Sequence, residues 1–234
     1  MKRKLHVSLI VLLLLVFSFN GAFAMGKLVS AQEKMIVVPY YDNYYYGYVF
    51  AELTNSGDKP VEFSSGLMEL FDPDGNSLSS ADLYYCYPPV LQPGETAYVY
   101  GNSYLEAASP DTISDFMLSV TGQGTISQTV TRFEATARME SVEDTYDTYD
   151  YIVAEIKNTL GEPLTGFEIV FAMKDEAGGL LYVISSYWSG YNVGVMPGSS
   201  VEMRYQLGTD ISTYMKDNGI VPATVEAIAY NIQY

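Results

Sequence analysis

Tyr48-Val49-Phe50-Ala51-Glu52-Leu53-Thr54-Asn55 and Tyr151-Ile152-Val153-Ala154-Glu155-Ile156-Lys157-Asn158 are one motif written twice, 103 residues apart. In each copy Val49, Ala51 and Leu53, or Ile152, Ala154 and Ile156, alternate with Tyr48, Phe50 and Glu52, or Tyr151, Val153 and Glu155. Period two with a glutamate on one face predicts a half-buried antiparallel strand. The same offset brings Pro60 onto Pro163, Gly75 onto Gly178 and Tyr84-Tyr85 onto Tyr187-Trp188. One residue later in register, Gln92-Pro93-Gly94 meets Met196-Pro197-Gly198. A repeat of this length implies two copies of one small domain rather than a solenoid.

Outward from the motif, strands and turns alternate. Asn55 to Pro60 and Asn158 to Pro163 read as turns, with glycine supplying positive φ and proline a preset φ. Met68 and Leu70, and Phe167, Ile169, Phe171 and Met173, form the inward side of the next strand, which ends at the hairpin turn Asp72-Pro73-Asp74-Gly75-Asn76. A further strand is predicted from about Leu78 to Tyr87. Val201, Met203 and Tyr205 alternate with Glu202, Arg204 and Gln206, which by alignment turns Tyr98 and Tyr100 outward. Leu105 to Asp115 and Asp210 to Asn218 are the places for a short helix or an irregular crossing, and strands near Phe116–Val120 and Thr224–Ile232 close the copies. About seven short strands per copy predict an all-β chain of two tandem antiparallel β-sandwiches. The expected organisation is a signal peptide over 1–24, a first domain over 32–124 and a second over 125–234.

The signal peptide is read from basic Lys2, Arg3 and Lys4, an apolar run Val7–Phe19, and Ala22-Phe23-Ala24 as the cleavage site, with an alternative end at Ala31. The run is short for a membrane span, so a secreted, extracytoplasmic protein without stable membrane insertion is expected. The whole chain carries a net charge of −16, and three of its twelve basic residues lie in the leader. Such acidity repels nucleic acid and anionic lipid. The single histidine is His6, so the mature chain has no Ser-His, Cys-His or His-metal chemistry. The lone Cys86 aligns with Ser189 and reads as a buried, inert thiol.

The order of these motifs resembles the FxLYD-type domain, an immunoglobulin-like sandwich of secreted bacterial proteins. The carrying residues are Leu53-Thr54-Asn55-Ser56-Gly57 with Pro60, then Met68-Glu69-Leu70-Phe71-Asp72, the Asp74-Gly75 turn and Leu91-Gln92-Pro93-Gly94-Glu95. The second copy keeps Phe171-Ala172-Met173-Lys174-Asp175 and Val195-Met196-Pro197-Gly198, without the aromatic before the aspartate. The resemblance implies an immunoglobulin-like fold and transfers no activity.

Tyrosine is the compositional outlier, with 22 residues. A strand buries alternate residues only, so the run Tyr40 to Tyr48 should leave several rings in solvent. Tyr44, Tyr45, Tyr46, Tyr98 and Tyr100 are the candidate ligand-binding residues, because a flat apolar ring with one hydroxyl suits sugar stacking and protein contact. The competing reading makes them scaffold. Of Tyr84-Tyr85 and of Tyr187-Trp188, one ring each should point in. Asp144, Asp147 and Asp150 are weak candidates for a calcium loop, although their spacing fits a solvated acidic loop better, and no metal or other cofactor is expected. Without a histidine, a nucleophile elbow or a phosphate loop, no enzyme is expected. The reading is a non-catalytic interaction protein binding protein or glycan of the cell envelope. The alternatives are a structural spacer or accessory subunit, and a carboxylate-based glycan hydrolase.

Overall fold

The computed structural model describes residues 26–143, 148–190 and 194–233. It is an all-β protein of antiparallel strands with one short helix. In the N-terminal half, β1 (Leu28–Tyr41), β2 (Tyr44–Asn55) and β6 (Thr96–Glu106) form one sheet in the order β1-β2-β6. Against it, β4 (Ser77–Leu83), β3 (Val61–Phe71) and β7 (Asp115–Gln123) form a second, to which the short β5 (Val90–Leu91) adds. In the C-terminal half, β8 (Thr129–Glu143) serves two sheets. Its first residues, Thr129–Phe133, pair with β13 (Thr224–Gln233), and Glu134–Glu143 pair with β9 (Thr148–Lys157). The strand order is therefore β11-β10-β13-β8-β9-β12, with β10 (Gly166–Lys174), β11 (Leu180–Ser189) and β12 (Ser200–Gln206). The helix α1 (Thr209–Asp217) links β12 to β13. A 3-10 turn at Pro110–Thr112 takes the corresponding place in the first half.

The turns explain why the motif recurs. Asn55 and Asn158 are both fully buried. The Asn55 amide donates to Lys59 O at 2.7 Å and Leu91 O at 3.1 Å, while its Oδ1 accepts from Gly57 N and Lys27 N, both at 3.0 Å. Asn158 donates to Glu162 O at 2.8 Å and Val195 O at 2.7 Å and accepts from Leu160 N at 2.8 Å. The hairpins are equally alike. Asp72 Oδ1 accepts from Asp74 N and Asn76 N, and Asp175 Oδ1 from Ala177 N and Gly179 N. Gly75 and Gly178 both take φ of 82°, a left-handed conformation that suits glycine.

Both halves bury the motif's alternate residues. Val49, Ala51 and Leu53 meet Met68 and Leu70, while Ile152, Ala154 and Ile156 meet Phe167, Ile169 and Phe171. β10 differs from its counterpart β3 in being buried on both sides. Val170, Ala172 and Lys174, which alternate with that core set, are buried too: Val170 and Ala172 share a cluster with Phe50 and Tyr98, and Lys174 pairs with Glu52. Strands buried on both faces read as continuous apolar runs, hence Ile169-Val170-Phe171-Ala172-Met173.

The halves are joined by specific contacts. The face of β1-β2-β6 turned away from its own core lies over β11 and the neighbouring side of β10 and β13, and α1 packs against β1. Phe50 meets Tyr182 edge-on at 5.1 Å. Tyr100 Oη and Ser185 Oγ lie 2.9 Å apart, and Tyr98 donates to Glu226 at 2.6 Å. Lys174 Nζ sits between Glu52, at 2.8 Å, and Glu226, at 3.0 Å, and 5.8 Å from the Tyr98 ring centre. Gln32 holds the β10–β11 turn through Gly178 O and Leu180 N. The connection at 124–128 is tied down too, as the buried Glu62 carboxylate accepts from Ser127 N at 2.6 Å and Ser127 Oγ at 2.7 Å.

Candidate binding surface

One face of β2 and β6 carries a continuous aromatic stripe. Residues directly opposite across an antiparallel pair share a face. Tyr46 opposes Tyr104, Tyr48 opposes Asn102, Phe50 opposes Tyr100 and Glu52 opposes Tyr98. The rings follow one another: Tyr44 stacks on Tyr104 at 5.0 Å, Tyr46 lies 5.2 Å from Tyr104 and 5.7 Å from Tyr48, and Tyr48 stacks on Phe50 at 6.1 Å. Such spacings are those of mutually attractive aromatic pairs.

The C-terminal half divides this stripe. At one end Phe50 and Tyr98 are fully buried beneath it and Tyr100 is half-buried. At the other end, around the β1–β2 turn, Tyr40 is 59%, Tyr41 67% and Tyr104 46% exposed, with Tyr44 and Tyr46 half-buried among them. Tyr40 packs edge-on against both Tyr46, at 5.0 Å, and Tyr104, at 5.6 Å. Tyr44 Oη reaches Glu106 at 3.4 Å. Desolvation, then the neighbouring Tyr44, Tyr40 and Tyr46 phenols, hold the Tyr104 hydroxyl above its ordinary value. Burial, then the Asp210 carboxylate, push Tyr48 up to about 12. The outcome is a preformed aromatic platform with hydroxyls at its rim and Glu106 beside it.

The expected tyrosines therefore separate into three environments. Tyr44 and Tyr46 belong to the platform. Tyr45 points to the opposite face and is 9% exposed in the core with Val49 and Leu70. Tyr98 and Tyr100 point away from their own core, as the alternation predicts, yet the second half covers them. Neither can meet an outside ligand as part of the platform. Tyr40, Tyr41 and Tyr104 complete the platform instead, and Tyr104 was legible as the next ring after Tyr98 and Tyr100 on the same face of β6.

The other candidates resolve differently. Tyr84 and Tyr85 are both exposed, because β4 ends at Leu83 and the alternation stops there. In the second copy Tyr187 is exposed while Trp188 stacks on Phe167 at 5.2 Å. Cys86 is buried, and desolvation raises its thiol far above the ordinary value. Asp144 and Asp147 lie outside the described residues. Asp150 accepts from Ser141 Oγ at 2.6 Å and stands 3.7 Å from Lys216 Nζ. Among the described residues no group of three or more His, Cys, Asp or Glu side chains is arranged to hold a metal, and no helix is long and apolar enough to cross a membrane.

The second copy uses the equivalent face in another way. Where β6 has Tyr98 and Tyr100, β12 has Glu202 and Arg204. Arg138 meets Glu140 at 2.6 Å and Glu202 at 3.4 Å, and Arg204 meets Glu140 at 3.2 Å and Glu202 at 3.3 Å. That surface is a solvated charge network rather than an aromatic one. Comparison with protein-family models, with characterised proteins and with solved structures found no match.

Proposed function

We propose that the chain is a secreted, non-catalytic binding protein. In this reading it is built from two FxLYD-type immunoglobulin-like sandwiches and contacts protein or glycan of the cell envelope through the platform of Tyr40, Tyr41, Tyr44, Tyr46 and Tyr104. The carrying observation is that Tyr40, Tyr41 and Tyr104 stay exposed, with Tyr40 and Tyr104 already packed on half-buried Tyr44 and Tyr46, at the end of a stripe whose remainder is used to join the two halves. Rings held by their neighbours lose little freedom on binding, and an exposed aromatic patch of this kind marks a recognition surface. The leader reading carries the export. β1 starts at Leu28, and Lys27 N caps Asn55, so cleavage after Ala24 keeps both, whereas cleavage after Ala31 removes them.

The test is retention of the purified protein on isolated envelope material, separated into its glycan and protein fractions. Replacing Tyr44, Tyr46 and Tyr104 together by serine should abolish retention and leave the thermal midpoint within a few degrees. Unchanged retention would sink the reading and favour a spacer. Tyr45 is left intact because its ring is core.

A further inference from the structure

A groove that shares only Tyr40 with the platform runs along the outer edge of β1. It holds about 860 Å³ and has Met35 to Tyr40 as its floor. Thr209, Asp210, Thr213, Tyr214 and Asp217 of α1 form one wall, and Pro110, Asp111, Ile113 and Ser114 the other. Over this stretch β1 pairs with β2 only, and among the described residues no strand is bonded to its far side. Pro39 has no N–H to give to β2. By period two, Val37 and Met35 turn their N–H and C=O groups the same way as the Pro39 nitrogen, toward the groove. A strand edge with free main-chain donors and acceptors is a template for another strand.

The walls say what kind of strand. Asp210 and Asp217 are seven residues apart on α1, hence on one face and about 10 Å apart along the axis. Asp111, in the 3-10 turn, also lines the groove. No lysine or arginine is among the residues lining it, and among the described residues none of these three carboxylates is in an ion pair. A strand added to β1 would send alternate side chains toward α1 and toward the 3-10 turn, so both of its faces would meet a carboxylate.

We propose that this groove binds an extended, cationic peptide segment of a partner protein by strand addition to β1, with lysine or arginine side chains reaching Asp210 and Asp217 on one side and Asp111 on the other. This goes beyond the tyrosine platform, with which the groove has only Tyr40 in common.

The experiment uses the purified protein and a fluorescent, end-blocked hexapeptide Lys-Lys-Val-Val-Lys-Lys, which as a strand carries lysines on both faces, read by anisotropy. Saturable binding is expected that weakens as salt rises. N-methylation of alternate peptide residues, which removes main-chain donors and leaves the charge, should abolish it. The Asp111→Asn/Asp210→Asn/Asp217→Asn protein should bind about tenfold more weakly, and the Tyr44→Ser protein, whose ring neither lines the groove nor packs on Tyr40, should bind as the parent does. Absence of saturable binding overturns the proposal. So does equal binding of the N-methylated peptide, which would make the acids a nonspecific attractor of polycations. Loss of binding in the tyrosine variant alone would also overturn it, by moving the peptide to the platform. The N-methylated arm uses the unaltered protein, so a misfolded variant cannot decide the outcome.

Discussion

At the scale of single residues the duplicated asparagine does the most. Side-chain amides offer two donors and an acceptor, and Asn158 spends all three on a turn, donating to the carbonyls of Glu162 and Val195 and accepting from the Leu160 N–H. No other side chain of this size matches that pattern. Asn158→Ala removes all three bonds; Val195 O keeps the Leu164 N–H at 2.9 Å, while Glu162 O and the Leu160 N–H lose this partner, and each such loss costs about 1–3 kcal/mol. Relaxation and water entry reduce the sum, so the expected destabilisation is about 2–4 kcal/mol, read as a lower urea midpoint at unchanged slope. Asn158→Asp should be no better, because a carboxylate cannot donate to those two carbonyls. A loss below about 1 kcal/mol would mean the turn is held by its backbone alone. The sequence reading recognised Asn55 and Asn158 as turn residues. It could not show that they are buried, because the groups they satisfy come from Leu91 and Val195, which only the fold brings near.

Among elements, β1 and β8 are the longest strands, and neither is among the strands expected from the sequence. β8 was legible: Phe133, Ala135, Ala137 and Met139 alternate with Glu134, Thr136, Arg138 and Glu140. β1 was less so, since Gln32-Glu33-Lys34 interrupts its apolar residues and Gln32 is there for the β10–β11 turn. Starting the first domain at residue 32 therefore cuts into β1. Leu28, Val29 and Ser30 pair with Asn55, Thr54 and Leu53 at the strand's beginning. Lys27 N supplies one of the bonds to the buried Asn55 Oδ1. A chain starting at Gln32 loses all of these, where one starting at Met25 keeps them. The shorter chain should be less stable by about 2–3 kcal/mol, counting the Asn55 bond and the lost strand pairing. For a protein of this size that is a fall of roughly 5–10 °C in the thermal midpoint. Equal midpoints for the two chains would show that the first turn of the sheet is dispensable, and would remove the structural argument for cleavage after Ala24.

For the whole molecule the decisive fact is that a face pattern says which way a ring points and not what covers it. Period two set Tyr98 and Tyr100 on the outer face of β6, and the Glu202/Arg204 alternation of the second copy supported that. The two copies differ on this face: β12 carries Glu202 and Arg204, whereas β6 carries Tyr98 and Tyr100, which form part of the joint between the halves. The exposed platform is what that joint leaves over. The joint makes the protein sensitive to alkali. Burial, then the Glu226 carboxylate it donates to, hold the Tyr98 hydroxyl far above its ordinary value. Burial, then the nearby Tyr205 and Tyr48 phenols, do the same for Tyr182. Burial lifts Tyr48 and Tyr87 to about 12. An unfolded tyrosine titrates near 10. A group whose folded value is raised contributes stability that is complete below the unfolded value and lost as the pH climbs toward the folded one. Lys174, which burial opposes but Glu52 and Glu226 hold protonated, changes stability in the same sense. The near-UV circular dichroism of the protein should therefore collapse between about pH 10 and 12, with a step in tyrosinate absorbance at the same pH. Tyr182→Phe removes one of these ionisations and should move the collapse to higher pH. It should change stability at pH 7 by less than about 1 kcal/mol, because the ring and its edge-on contact with Phe50 remain. Tyrosinate appearing in full while the near-UV signal persists would show that these phenols ionise in place, and that the joint does not exclude the charge.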